Sequence, residues 1–182
     1  MPERLCKMHH QDNGIAILVF PGSSVVSARL LLESFQRQIA VFTGNADMKG
    51  IIMTGGGEGF CRCSGETVHT PSEASALSGF GQQVMFSLER TGKPSIAAIS
   101  GECSGLGLEV ALACDFIVAS DTASFGFPGI AGGKLPFCGG TQRLARLVGK
   151  SRAKELIFGG EMIDAGEALR IKLINRLYAD IN

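Results

Sequence analysis

The chain has 182 residues, 45% of them hydrophobic and 19% charged, with 25 glycines, which fits one globular domain (1–182) and excludes a disordered chain. Lysine plus arginine and aspartate plus glutamate balance at 17 each, so the net field gives no reason to expect nucleic acid or an anionic membrane as partner. No run reaches the apolar length that crosses a bilayer, and the polar start, residues 1–12, lacks a signal-peptide core; the expectation is cytoplasm or an organelle matrix. The six cysteines are then expected to be reduced, small apolar fillers. Cys61-Arg62-Cys63 lacks the spacing of a zinc knuckle, so no metal site is expected.

In chain order, residues 15–20 (IAILVF), ended by Pro21-Gly22, read as a buried strand. Residues 28–42 carry Leu31, Leu32, Phe35, Ile39 and Phe42 near helical spacing. A second strand, 50–54, runs into the glycine-rich stretch 55–59. Thr70-Pro71-Ser72-Glu73 opens a helix that reaches about Arg90 and stops at Gly92-Lys93-Pro94. Residues 95–100 form a third strand and 116–119 a fourth, with a helix over 105–114 between them. Strands alternating with helices imply an α/β fold with parallel pairing. The remainder reads as helices over 141–148 and 151–158, and a third opened by a capping box at Asp164 and Glu167.

The glycines do not form a nucleotide site. Val110 and Arg62 stand where a dinucleotide fingerprint needs its third glycine, after Gly105 and Gly57, and there is no P-loop. Strand-to-helix turns of this kind can instead aim bare N–H groups at a developing oxyanion, each donor worth about 3 kcal/mol of barrier. Two such turns follow the second and third strands. Composition does not say whether they converge.

Residues 94–115 (PSIAAISGECSGLGLEVALACD) closely resemble the signature of the enoyl-CoA hydratase/isomerase (crotonase) family. So do Phe125-Gly126 and the run Gly139-Gly140-Thr141-Gln142-Arg143-Leu144, continuing to Gly149, and more loosely residues 51–56 with Phe60-Cys61. The resemblance spans roughly residues 14–178. It implies a spiral of strand-strand-helix (ββα) units, with the family's C-terminal helical segment largely missing. It also implies an acyl-CoA or acyl-carrier-protein thioester as substrate, coenzyme A arriving as part of that substrate and not as a separate cofactor. Assembly as a homo-oligomer, a trimer or a multiple of it, follows from the same likeness.

Position by position, the oxyanion hole falls on the backbone N–H groups of Ser64 and Leu106, and the first catalytic glutamate on Glu109. Cys61, Cys63, Gly105 and Gly129 fall on substrate-contacting positions. Read without the family, a glutamate in a first helical turn complements the helix dipole.

Three departures bear on the chemistry. Gly129 stands where hydratases and isomerases carry a second glutamate, and glycine transfers no proton. Cys63 replaces a loop glycine, and Lys172 replaces a glycine after a helix at a cost of about 1 kcal/mol if that residue is left-handed. Lys134, Cys138, His69 and Glu66 are the nearby groups weighed as substitutes, with Lys134 read as a solvated charge, Cys138 as core and His69 as an exposed loop residue. The leading expectation is hydration or dehydration of a 2-enoyl thioester. The alternatives are decarboxylation or hydrolysis of a thioester, and a non-catalytic acyl-CoA-binding relative.

Overall fold

The computed structural model describes residues 5–22, 26–56, 59–61, 63 and 68–180. The first apolar run forms β2 (Ile15–Pro21), whose residues alternate between buried and half-buried as a strand's period of two requires. β3 (Gly50–Gly56), β4 (Ser95–Ile99), β6 (Phe116–Ser120) and β9 (Arg176–Tyr178) extend it sideways, each pairing in parallel. β1 (Lys7–His10) adds an antiparallel edge, giving the order β1-β2-β3-β4-β6-β9. The polar stretch around β1 hid this strand, because an edge strand facing water needs little apolar pattern.

A second sheet explains the loops between strands and helices. β5 (Glu102–Ser104) pairs in parallel with β7 (Ser124–Gly126), and β7 with the antiparallel β8 (Ile163–Asp164). Single bridges, Gly59 to Glu102 and Val26 to Cys63, continue the same side of the molecule. Each winding therefore gives one strand to the large sheet, a short strand or bridge to the small one, and then a helix. This is the ββα spiral that the sequence resemblance implied.

α1 (Ala28–Gly44) turns Leu31, Leu32, Phe35, Ile39 and Phe42 into the core, and the Ser27 side chain accepts from the Leu30 N–H at its start. α2 (Pro71–Glu89) begins with a complete capping box between Thr70 and Glu73. α3 is confined to Leu106–Ala111, shorter than the expected 105–114, and all six of its residues are buried. α4 (Gly140–Val148), α5 (Lys150–Gly159) and α6 (Ala165–Arg170) follow. Asp164 accepts from the Glu167 N–H, but the Glu167 carboxylate reaches Arg152 and Arg170 where the expected box would turn it back to the cap.

Lys172 is left-handed at φ +64°, at the end of α6. The Leu173 N–H donates to the Ala168 carbonyl and the Lys172 N–H to that of Leu169, the paired bonds of a Schellman ending. Among the described residues the left-handed non-glycine positions are Cys61, at φ +54°, and Lys172; Cys63 is not one of them. None of the six cysteines is joined in a disulfide. Among the described residues no helix is long and apolar enough to cross a membrane, and no cluster of His, Cys, Asp or Glu is placed to hold a metal.

Candidate active site

The two glycine-rich turns do converge. A Cβ at Gly107 would lie 2.5 Å from the Phe60 carbonyl oxygen and 3.2 Å from that of Cys61, so only a glycine lets α3 pack against the loop after β3. That loop is fixed from behind: the Phe60 N–H donates to the Glu102 carbonyl at 2.8 Å, and its ring packs 5.4 Å from Phe20. Gly105, between β5 and α3, takes φ +54° and ψ −122°, a conformation that side chains resist. It places Leu106 first in α3, where a backbone N–H has no carbonyl one turn earlier to bond.

Cys63, Gly105, Leu106, Glu109 and Gly129 line one cavity of about 430 Å³, together with Ser104, Val68 and residues of the 127–137 segment. Four of the five expected contact and donor positions that can be examined are thus brought together with Glu109. The fifth, Cys61, is fully buried and does not line the cavity. Ser64 and Glu66 lie outside the described residues.

Glu109 is 1% exposed, yet its carboxyl group is fully engaged. Oε1 accepts from the N–H of Cys138 at 2.7 Å and of Gly140 at 2.8 Å, and Oε2 from the N–H of Phe137 at 3.3 Å. Gly140 is another position where the close approach excludes a side chain, since a Cβ would fall 2.8 Å from Glu109 Cγ. Burial raises the carboxyl from 4.5 to about 7, against the opposing pull of the three amides and the Arg143 cation. Such a group holds and releases a proton near neutrality, which suits acid-base work.

The lining around residue 129 is bare of acids among the described residues. Pro128–Gly132 forms a 3-10 turn, and the Lys134 N–H closes the loop onto the Gly129 carbonyl at 2.9 Å. Gly129 is exposed on the cavity rim. Of the substitutes, Lys134 is on the same rim and exposed, and His69 is exposed and lines nothing. Cys138 is buried in the core; burial pushes its thiol up, as it does that of Cys61, so neither is a nucleophile near neutral pH. The sequence reading missed the three amides around Glu109 and the apolar lining from Val68, Leu135 and Phe137. The Gly139-Gly140 pair at the start of α4 was the available signal for the amides.

A family model described as enoyl-CoA hydratase/isomerase matches residues 26–181. Short-chain-enoyl-CoA hydratase from Clostridium acetobutylicum is 38% identical over 151 residues, which cover 80% of this chain and 58% of that protein. Crotonyl-CoA hydratase from Syntrophomonas wolfei is 45% identical over 105 residues, 58% of this chain and 40% of that one. The chain thus spans less than two thirds of these relatives' length. The crystal structure of an enoyl-CoA hydratase from Bacillus anthracis superposes with a TM-score of 0.84 at 30% identity, covering 96% of this chain and 70% of that one. The spiral, the convergent turns and Glu109 at the head of α3 fit these matches, and the chain belongs to the enoyl-CoA hydratase/isomerase family.

Proposed function

We propose that the chain is a lyase of the enoyl-CoA hydratase type, adding water to a 2-enoyl-CoA or removing it from the 3-hydroxyacyl product. The carrying observation is Glu109: a carboxyl on the cavity wall, oriented by three amides and raised to about 7. In the forward direction Glu109 takes a proton from water as the oxygen bonds to the β-carbon. The electron pair of the double bond moves to the thioester oxygen, and the enolate that forms is held by the backbone N–H groups of Leu106 and Ser64. Because residue 129 is glycine, Glu109 then returns the proton to the α-carbon, and the thioester carbonyl reforms. The names of the relatives support an acyl-CoA substrate. On the same reading the chain assembles as a homo-oligomer, and a monomer by light scattering contradicts that part alone.

Gly129 favours one second reading. With no acid among the described residues around position 129, decarboxylation of a malonyl-type thioester needs only the oxyanion donors. The test is loss of the conjugated enoyl absorbance of crotonyl-CoA with the wild type and Glu109→Gln, beside a product screen with malonyl-type thioesters. Hydration by the wild type, cut at least about a hundredfold in the variant, is expected. Full activity in Glu109→Gln sinks the assignment, and decarboxylation without hydration moves it to the second reading.

A further inference from the structure

The amides that hold Glu109 belong to a loop gripped from its other side by α2 and α4. The peptide joining Phe137 to Cys138 donates its N–H to Glu109 Oε1 at 2.7 Å and accepts on its carbonyl from Ser78 Oγ, also at 2.7 Å. Ser78 in turn accepts from Gln82 Nε2 at 3.0 Å. One peptide plane therefore links α2 to the carboxyl group, and a peptide bonded at its carbonyl donates more strongly through its N–H. The next carbonyl, that of Cys138, accepts from Arg143 Nη1 at 2.9 Å. Arg143 is itself pinned: Nε lies 2.7 Å from Glu89, the guanidinium sits 5.4 Å from the Phe86 ring, and the side chain is 10% exposed. Cys138 can come this close because residue 81 is glycine, where a Cβ would fall 2.2 Å from its sulfur.

Neither Ser78 nor Arg143 lines the cavity, so any influence on chemistry passes through the loop. We propose that Ser78 and Arg143 are positioning residues for Glu109, holding residues 137–140 from the carbonyl side so that their amides stay aimed at its carboxyl group. The inference rests on the reading of Glu109 as the proton-transferring group. Among the described residues the charged group acting on Glu109 is Arg143 from α4, and Glu109 in turn raises the Cys138 thiol of the loop. Removing the Ser78 hydroxyl alters no charge, and this makes Ser78→Ala the decisive variant.

The experiment follows the Glu109 carboxyl by carbon-13 NMR in the full chain labelled at glutamate, its signal assigned by its loss in Glu109→Gln. In Ser78→Ala the titration midpoint should rise by about half a unit to one unit, as amides turned away stop favouring the ionised form. Turnover of crotonyl-CoA should fall about tenfold in kcat with KM little changed, and Ser78→Thr should restore both. Should Ser78→Ala fail to fold, Arg143→Lys gives the same readings, because it keeps the charge and loses the planar fork. An unchanged midpoint and kcat in a folded variant overturn the proposal while leaving the hydratase reading intact. A shifted midpoint in a protein that hydrates nothing supports the proposal's geometry and fails the hydratase reading instead.

Discussion

On one wall of the cavity α3 is buried along its whole length and presents a carboxyl group that three backbone amides hold in place. Elsewhere on the lining, the segment from Pro128 to Leu135 is mostly exposed and has glycine at 129, 132 and 133. The first wall is over-determined: glycines at 105, 107 and 140 are each required by backbone conformation or close approach. Gly129 is less constrained: a Cβ there would meet Lys134 Cβ at 3.3 Å, a tight contact that a shift of a few tenths of an ångström in that exposed residue relieves. The difference teaches that the packing fixes one carboxyl and the turns beside it, while the segment around residue 129 sets no demand for a second acid.

The largest effect that separates the walls is in stability against pH. Folded Glu109 keeps its proton up to about 7, whereas the unfolded chain loses it near 4.5. Its contribution is therefore fully present below 4.5 and is lost as pH rises to about 7, by roughly 3 kcal/mol. Denaturation at a series of pH values should show this fall in the wild type and not in Glu109→Gln; parallel curves would remove Glu109 as its source. Next in size, Gly129→Glu should supply the missing acid and raise hydration about a hundredfold, read with crotonyl-CoA. No gain would mean that the bare wall is not what limits the rate.

Smaller again is the same change made on both sides. Gly140→Ala drives a methyl into Glu109 and should cost about 2 kcal/mol, with loss of turnover, while Gly129→Ala should stay within about 0.5 kcal/mol. Equal costs by urea denaturation would erase the contrast. Lys172→Gly, away from both walls, relieves a left-handed lysine and should add about 1 kcal/mol with no change in rate. A destabilised variant would show that the lysine side chain matters more than its backbone.

α1 was legible in the sequence from its periodic apolar residues and α2 from its capping start and its Gly-Lys-Pro stop, as were the four strands of the large sheet with apolar runs. The short strands β5, β7 and β8 were not, because two or three residues carry no period and their pairing is set by the spiral. β9 was hidden for the same reason. The signature singled out Glu109 and Leu106, and both line the cavity. That the loop after β3 meets α3 was not, since it depends on Gly107 lying against the carbonyls of Phe60 and Cys61. Nor could spacing reveal Ser78, 59 residues from the Phe137 carbonyl it bonds.

The most direct test of a single proton-transferring carboxyl is the pH dependence of kcat/KM for hydration of crotonyl-CoA. The wild-type rate should fall on acidification through one group titrating at about 7, as Glu109 takes up the proton that disables it as a base. Glu109→Gln should leave only a low residual rate without that limb. A profile flat from pH 5.5 to 8.5, or an acid limb kept in Glu109→Gln, would place the proton transfer on another group and contradict the account.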